Sequence, residues 1–327
     1  MQAYANLFRL LTNALVEQQA VLNTSSPKQM YEPMAYTIGL GGKRVRPLLT
    51  LIACDLFNAN PQSAVKAALA VELFHNFSLI HDDILDNAPL RRGSATVHEK
   101  WNRNIALLSG DGMMVKAFDV LSECDTTHLK AMLKLFSKTG IEVCEGQQFD
   151  MNYETLEHVS VEEYLNMITF KTAVLLGCSL QMGAICANAS LQDQIHLYEF
   201  GKHVGIAFQI LDDVLDVYAR DDKFGKQVGG DIISNKKTFL LLKAFELANS
   251  SQKQKLDDLL INKEISNPDK VKKVSALYNT LGIKELATLE ANLHTEAALK
   301  HLAEVDADAT KKENLKQFAF DLLNRHT

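Results

Sequence analysis

Residues 78–86 read SLIHDDILD, and residues 208–216 read FQILDDVLD. Both stretches place the pattern DDxLD after an apolar lead-in. Because residues four apart share one face of a helix, the first and last aspartates of each pattern are predicted to lie one turn apart. Two stacked carboxylates repel each other unless a cation lies between them and their partner. Ligands that offer only oxygen suit Mg²⁺, so the pattern predicts two metal-binding helices.

Basic residues follow each acidic pattern closely: Arg91 and Arg92 after the first, Lys223 and Lys226 after the second. Acids that hold metal beside fixed cations are what a diphosphate group requires, since metal ions bridge some of its oxygens and Arg or Lys binds the others. Two alternatives stay open at this point. The aspartates could be charged helix ends, or the acids and bases could form an ordinary ion-pair cluster.

A glycine-bearing stretch and a histidine suggest a second anion site. Residues 41–47 read GGKRVRP, so Lys43 and Arg46 fall in a stretch whose glycines let the backbone come close to a ligand. His75 precedes Asp82 by two helical turns and lies on the same face. A histidine on an apolar helix is more often a core residue with satisfied hydrogen bonds than a ligand group.

Other polar residues adjoin apolar sequence. Lys171 and Thr172 stand at the edge of an uncharged run, where a lysine must extend to solvent or meet an anion. Gln209 precedes Asp212 by three residues. The patterns GxxxxGK[ST], GxSxG, HExxH and GxGxxG do not occur in the sequence, so nucleophilic catalysis and a nicotinamide cofactor have no sequence support.

The composition favours an all-α fold. The 327 residues contain only 16 glycines and 6 prolines, and residues 90–267 contain no proline, which a turn-rich sheet protein would rarely show. We therefore predict one all-α domain over residues 1–327, with ten or more helices. Beyond the first 60 residues, the apolar spacing places helices near 61–86, 98–122, 127–152, 160–188, 192–219, 236–249, 252–262, 269–281, 284–303 and 309–325.

Net charge and cysteine content indicate which partners and which cellular compartment the protein is suited to. The formal net charge is −6, which disfavours a dedicated nucleic-acid binder. Five cysteines without a CxxC pattern indicate free thiols in a reducing cytoplasm. Residues 172–192 carry no charge over a bilayer's length, but their glutamines, asparagine and serines favour a buried helix over a membrane span.

Six motifs occur in an order that is highly specific to one family: GGKRVRP, HNFSLIHDDILDNAPLRRG, EGQQFD, FKT, FQILDDVLDVY and GKQVGGDIISNKKT. In these the chain resembles the trans-isoprenyl diphosphate synthases, the group that contains farnesyl and geranylgeranyl diphosphate synthases. The resemblance implies a bundle of helices around a deep central cavity, and a homodimer. It also implies that the two aspartate clusters face each other across the cavity mouth and bind three Mg²⁺ ions.

The resemblance assigns roles to individual residues. The implied metal ligands are Asp82, Asp86 and Asp212, with Asp83, Asp213 and Asp216 as further ligands or as groups that hold them. The residues implied for the allylic diphosphate are Arg91, Lys171, Thr172, Gln209, Lys226 and Lys236. Those implied for isopentenyl diphosphate are Lys43, Arg46, His75 and Arg92. The catalytic set implied is Asp82, Asp86, Asp212, Lys171 and Arg91.

The implied reaction is the head-to-tail condensation of isopentenyl diphosphate with an allylic diphosphate. In this family the residues just before the first aspartate cluster set product length, which here are Phe74, Phe77 and Ser78. An aromatic residue five positions before Asp82, with serine at the fourth, resembles synthases that stop at short or medium length, and favours C20 over C15. Plain core packing of the two phenylalanines is the alternative.

Three other functions compete with this interpretation. A class I terpene cyclase shares the fold, but it normally carries Ser or Thr and Glu in its second motif and needs no second diphosphate site. A non-catalytic partner subunit of a prenyl synthase would be expected to lose one acidic cluster, and this sequence keeps both. A di-iron helical protein would show Glu-x-x-His pairs, which are missing from the clusters.

Overall fold

The computed structural model describes residues 2–218, 229–262 and 264–324. Most of these residues are helical. In the first half the helices are α1 Ala5–Thr24, α2 Lys28–Gly39, α3 Val45–Leu56, α4 Val65–Leu85, α5 Val97–Lys100, α6 Arg103–Ser122 and α7 Thr126–Thr155. They continue with α8 Val161–Ile168, a π-helix Thr169–Ala173, α9 Val174–Cys186, α10 Leu191–Tyr218, α11 Gly230–Ile233, α12 Phe239–Leu247, α13 Ser250–Ile261, α14 Asn267–Leu281, α15 Ile283–Glu304 and α16 Ala309–Leu323.

The all-α prediction is confirmed, and most predicted boundaries agree with the structure within three residues. The predicted helix 98–122 is divided, because Asn102 caps α6 by accepting a hydrogen bond from the backbone N–H of Ile105 at 2.9 Å. The predicted helix 160–188 contains a π turn at Thr169–Ala173. Hydrophobic periodicity does not report a single extra residue in a turn, so the sequence could not predict it.

The chain forms two compact units. The first comprises residues 2–138, 178–198 and 304–315, and the second comprises the described residues of 139–177, 199–303 and 316–324. The prediction of one domain over residues 1–327 stays a prediction.

In the first unit, α4 is the central helix. It packs against α3 and α6, and its residues are buried on most of its circumference. Alanine and leucine favour the helix, and it contains no glycine or proline from Val65 to Leu85. Asp86 caps its C-terminus, and Asn87 follows with a φ of 49°, which ends the helix. The first aspartate pattern therefore occupies the last turn of a buried helix.

In the second unit, one hydrophobic cluster joins α8, α10, α12, α14 and α15. Its largest fully buried side chains include Tyr164, Phe239 and Tyr278. Val214, which stands between Asp213 and Asp216 on α10, lies in this cluster, as do Ile210 and Val217. Burial of Val214 anchors one face of α10, so the second aspartate pattern is also held by a packed helix.

The structure contains a small hairpin that the sequence analysis did not predict. Strands β1 Leu90–Arg91 and β2 Ser94–Ala95 pair antiparallel. Arg92 and Gly93 form the two-residue turn, with φ values of 53° and 76°. Both values are positive, as a type I′ turn requires. Arg91 lies in the first strand and Arg92 in the turn, so the hairpin sets the backbone positions of both arginines that follow the first aspartate pattern.

A single stretch among the described residues, Val161–Cys186, is long and apolar enough to cross a membrane by length and composition. In its most apolar window, 72% of the residues are buried inside the protein. This burial is typical of a core helix and agrees with the prediction that the uncharged run 172–192 is buried rather than a membrane span, although α9 ends at Cys186.

Candidate active site

The first unit carries the first aspartate pattern at the C-terminal end of α4. The N–H of Asp86 donates to the carbonyl of Asp82 at 2.9 Å, so helical geometry continues to Asp86 and the two carboxylates stand one turn apart. Asp82 is half-buried and Asp86 is exposed. The negative end of the helix dipole lies at this terminus and disfavours anions. The position therefore suits bound cations better than idle carboxylates.

Asp83 has a different environment from its neighbours. It is buried, and the Nε and Nη2 atoms of Arg91 both lie 2.7 Å from its Oδ1 atom. Burial raises the pKa of the Asp83 carboxyl, and the Arg91 guanidinium partly opposes that shift. The structure thus places Arg91, predicted to hold the allylic diphosphate, directly on a residue of the aspartate pattern.

A group of cations surrounds His75. The Nη1 atom of Arg46 lies 3.3 Å from Nε2 of His75, and because a guanidinium only donates, Nε2 is the acceptor. Burial and then the charge of Arg46 lower the pKa of His75 well below its usual value, so the imidazole is neutral. Burial also lowers the pKa of Arg46 to about 10, which leaves it charged at neutral pH. The buried Nε of Arg46 has no hydrogen-bond partner in the described chain.

The glycine-bearing stretch reaches the same group. Nη1 of Arg92 donates to the carbonyl of Gly41, and a Cβ atom added to Gly42 would lie 2.7 Å from Cζ of Arg92. Gly42 has a φ of 125°, a conformation that only glycine adopts without strain. The structure therefore brings the loop of Lys43, predicted from the sequence, to Arg92; the side chain of Lys43 itself is exposed.

A buried glutamate in this group was missed by the sequence analysis. Glu72 is 1% exposed, forms an ion pair with Arg44, and accepts a hydrogen bond from Nδ2 of Asn76 at 2.8 Å. Arg44 also donates to the carbonyl of Ile38. A glutamate within the apolar run AVELFHNF is the signal that could have identified it.

The predicted floor residues form part of an aromatic cluster. The ring of Phe74 lies 5.3 Å from that of Phe77 and 5.4 Å from that of Phe136, both in edge-to-face contact. Phe118 extends the cluster through Phe136, at 5.0 Å. The hydroxyl of Ser78 donates to the carbonyl of His75 at 2.9 Å. A cavity floor and ordinary core packing would both use such a cluster, so the length-setting role stays a prediction.

The second unit carries the second aspartate pattern near the C-terminal end of α10. Asp213 is buried; it accepts hydrogen bonds from the hydroxyl of Tyr164 and from Nε2 of Gln209, the latter at 3.2 Å. Burial, followed by the charge of Asp231, raises its pKa to about 7. Asp216 accepts a hydrogen bond from the N–H of Asp231 at 2.9 Å. Desolvated carboxyls beside one another bind cations readily, because a cation offsets both burial and repulsion.

The π-helix holds the lysine and threonine of the FKT motif. Nζ of Lys171 lies 2.6 Å from Oδ2 of Asp150, which belongs to the EGQQFD motif. Thr172 donates to Oε1 of Gln209 at 3.1 Å. Gln209 then donates to Asp213, so the π turn is linked to the aspartate pattern by one chain of hydrogen bonds. π turns occur frequently at functional sites.

Two further lysines were predicted for this unit. Lys236 follows α11, and its charge is one of the groups that lower the pKa of Asp213. Lys226 lies outside the described residues, as does Lys223. The sequence analysis did not assign Asp231 to the site, but in the structure its N–H donates to Asp216 and its charge acts on Asp213.

A glycine sets the position of Lys171. A Cβ atom on Gly146 would lie 2.2 Å from the backbone N of Lys171, and backbone cannot move aside as a flexible side chain does. We expect Gly146→Ala to destabilise the protein by about 1–3 kcal/mol through overpacking and to weaken the Lys171–Asp150 contact. Urea denaturation and steady-state kinetics measure the two effects.

The matched control is Gly39→Ala, also in a helix, where the added Cβ would meet the amide end of Gln19. That group is the end of a side chain and can move at the cost of its hydrogen bond to the carbonyl of Ala35, so we expect a smaller loss of stability. Equal losses in both variants would contradict the proposed role of the close approach at Gly146.

An all-α fold with two carboxylate patterns, each close to basic side chains, is typical of a helical enzyme that acts on diphosphates. The sequence profile of polyprenyl synthetases matches residues 27–279. A geranylgeranyl diphosphate synthase of Methanosarcina mazei is 40% identical over 228 residues, 69% of this chain and 70% of that protein. A (2E,6E)-farnesyl diphosphate synthase of Mycobacterium bovis is 34% identical over 286 residues, 86% of this chain and 79% of that protein.

A solved structure extends the similarity to the fold. The crystal structure of geranylgeranyl pyrophosphate synthetase from Pyrococcus horikoshii superimposes with a TM-score of 0.91, 33% identity and 99% coverage of both chains. The chain belongs to the polyprenyl synthetase family and is a prenyltransferase of the trans-isoprenyl diphosphate synthase type. Mg²⁺ is the cation that this family uses.

Proposed function

We propose that the protein condenses isopentenyl diphosphate head to tail with an allylic diphosphate, giving an all-trans prenyl diphosphate. Geranylgeranyl diphosphate (C20) is the proposed product, and farnesyl diphosphate (C15) is the next candidate. The observation that carries the proposal is the cation group around His75, in which the buried Nε of Arg46 lacks a hydrogen-bond partner among the described residues. A site of this kind supports a substrate anion bound without metal.

The isopentenyl diphosphate site is proposed to consist of Lys43, Arg46, His75 and Arg92. Arg46 and Arg92 supply planar donor pairs that suit phosphate oxygens. His75 stays neutral and accepts from Arg46, so it orients that guanidinium without adding charge. Arg44, which forms the ion pair with Glu72, immediately precedes α3 and so holds the start of the helix that carries Arg46.

The allylic diphosphate is proposed to bind Arg91, Lys171 and the other residues assigned to it from the sequence. Arg91 and Lys171 each rest on a carboxylate, Asp83 and Asp150 respectively. These partners hold the cations in place before substrate arrives, which lowers the entropic cost of binding. The remaining proposed residues for this diphosphate are Thr172, Gln209, Lys236 and, outside the described chain, Lys226.

The donor set fits Mg²⁺ because all its side chains are carboxylates, whose oxygen atoms this ion prefers. Asp82, Asp86 and Asp212 would hold the ions directly. Asp83, Asp213 and Asp216 would either bind an ion or position the direct ligands. We propose three ions per site. When bound, Mg²⁺ supplies positive charge that stabilises the departing diphosphate.

The chain's own cations act in the same direction. As the allylic C–O bond breaks, negative charge builds on the diphosphate, and Arg91 and Lys171 are placed to stabilise it. The double bond of isopentenyl diphosphate attacks the allylic cation at C1, forming the new C–C bond. The resulting cation loses a proton, for which the released pyrophosphate is the proposed base. The apolar helices exclude water that would quench the cation.

A direct assay tests the function. Labelled isopentenyl diphosphate is incubated with a C5, C10 or C15 allylic diphosphate, with Mg²⁺ or EDTA, and the products are sized after phosphatase treatment. Mg²⁺-dependent incorporation supports a synthase. Release of pyrophosphate from the allylic substrate alone, with a cyclic hydrocarbon formed, would support a terpene cyclase instead. No reaction by folded protein would support a partner subunit.

Phe77→Ala tests the chain-length assignment. Removing a ring that is 7% exposed opens space below the first aspartate pattern, so we expect products longer than those of the unaltered protein. Phe118→Ala removes a ring from the same aromatic cluster without touching the predicted floor, and should leave product length unchanged. An identical product spectrum for Phe77→Ala and the unaltered protein would favour plain core packing.

The assembly and location are further proposals. We propose a homodimer, because α6 exposes Leu107, Leu108 and Val115 at 51%, 58% and 64% on one face, and burial of such a face drives association. Sedimentation at several concentrations measures the assembly. A cytoplasmic location is proposed on the five free cysteines, which fit a reducing compartment.

A further inference from the structure

Three histidines meet in the second unit, away from the aspartate pattern of α10. Nδ1 of His203 lies 2.9 Å from Nδ1 of His294, and the ring of His301 stacks on that of His203 with centroids 5.9 Å apart. One candidate ligand atom each from Glu199, His203 and His301 lies within 4.8 Å of the others. Three of the ten histidines in the sequence therefore form one cluster.

Helical spacing produces this arrangement. Glu199 and His203 are one turn apart on α10, and His294 and His301 are two turns apart on α15. Each pair therefore presents its side chains on one face of its helix, and the contact of His203 with His294 shows that the two faces meet. All four side chains are partly exposed, so an ion can enter from solvent.

We propose that Glu199, His203 and His301 bind one divalent transition-metal ion of the zinc type. His294 does not bind the ion but forms a hydrogen bond with His203. Two imidazole nitrogens and a carboxylate oxygen are ligands that Zn²⁺ takes, whereas Mg²⁺ prefers oxygen alone. The site is therefore chemically distinct from the aspartate patterns. It would join α10 to α15 and stabilise the helix that carries Asp212 and Asp216.

The contact between His203 and His294 orients the imidazole of His203. The short Nδ1–Nδ1 contact holds one proton. When His203 donates it, Nε2 of His203 carries a lone pair for the ion, and Nε2–H of His294 faces Oε1 of Glu290 at 3.7 Å.

Two local adjustments are needed. Donors of a tetrahedral Zn²⁺ at about 2.1 Å lie roughly 3.4 Å apart, so the present spacing must close by rotation of side chains. Nζ of Lys202 lies 2.5 Å from Oε2 of Glu199 and must release it. This pair is partly exposed and solvated, so its exchange for a dication is favourable.

The test uses the full-length protein, stripped with a chelator and titrated with Zn²⁺ by calorimetry in excess Mg²⁺, which occupies the oxygen sites. We expect one tight site in the unaltered protein. His301→Gln and Glu199→Gln should each weaken it by roughly 10–100-fold or more. The matched control is His158→Gln, which removes an exposed histidine outside the cluster and should leave affinity unchanged. If His301→Gln fails to fold, Glu199→Gln still tests the proposal, because it alters only a partly exposed side chain and should fold.

Two readouts confirm the ligand type. Co²⁺ in the same site should give visible absorption of a four-coordinate complex with nitrogen donors, lost in both cluster variants. Zn²⁺ should raise the thermal midpoint of the unaltered protein and not that of the variants. Absence of a tight Zn²⁺ site in the unaltered protein, or equal affinity in it and in Glu199→Gln, would overturn the proposal.

Discussion

We expect Asp82→Asn and Asp212→Asn each to lower kcat by about 10³-fold, because removal of one charge-stabilising group from a transition state typically costs 10²–10³. Asparagine keeps the size and an oxygen of aspartate but loses the charge that binds Mg²⁺. Both aspartates are half-buried in regular helix, so the exchange should not disturb folding. Steady-state rates at saturating substrates, with Mg²⁺ varied, measure the effect.

The matched control is Asp119→Asn. Asp119 is exposed on α6 and pairs with Lys116 at 2.6 Å, so it is a carboxylate at a helix surface outside the proposed site. We expect its kcat to equal that of the unaltered protein. Full activity of Asp82→Asn with an unchanged Mg²⁺ requirement would show that the first aspartate pattern is a charged helix end rather than a metal site.

Glu72→Gln should lower the free energy of unfolding by about 3–5 kcal/mol, the usual result of leaving one partner of a buried ion pair unpaired. The Arg44 and Glu72 side chains are 8% and 2% exposed, so water cannot compensate the stranded guanidinium. Because Arg44 precedes Arg46 at the start of α3, we also expect a higher KM for isopentenyl diphosphate. The urea midpoint at constant m-value measures stability, and initial rates measure KM.

Glu123→Gln is the matched control for stability. Glu123 pairs with Lys66 at 2.5 Å in the same unit, but their side chains are 48% and 46% exposed. An exposed pair contributes less than about 1 kcal/mol, so the midpoint should move little. If both variants lost the same stability, burial would not be what makes the Arg44–Glu72 pair important.

The sequence was sufficient for the features that repeat within a helical turn. The spacing of apolar residues placed α4 and α10, and the four-residue interval placed Asp82 over Asp86. Binding chemistry that depends on residue type alone could also be predicted, as for the arginines after the first aspartate pattern. These features are local: they follow from 3.6 residues per turn and from what a carboxylate or a guanidinium can bind.

Partners distant in sequence could not be predicted. Lys171 rests on Asp150, and His203 meets His294, because helices pack side by side. The π turn and the hairpin at Arg92 depend on one residue's conformation, which amphipathic periodicity does not record. Glu72 was visible as an anomaly in an apolar run, but its partner was not.

By itself, therefore, the sequence determined the class of fold, the family and the two carboxylate patterns, because each is carried by periodicity or by an ordered set of motifs. Only the tertiary structure decided which of these charged side chains are buried against a partner and which are partly exposed. It buried Asp83 against Arg91, Glu72 against Arg44, and Asp213 beneath Tyr164. It left Asp82 and Asp212 half-exposed. Burial and pairing depend on distances between helices, and those distances arise only when the side chains pack.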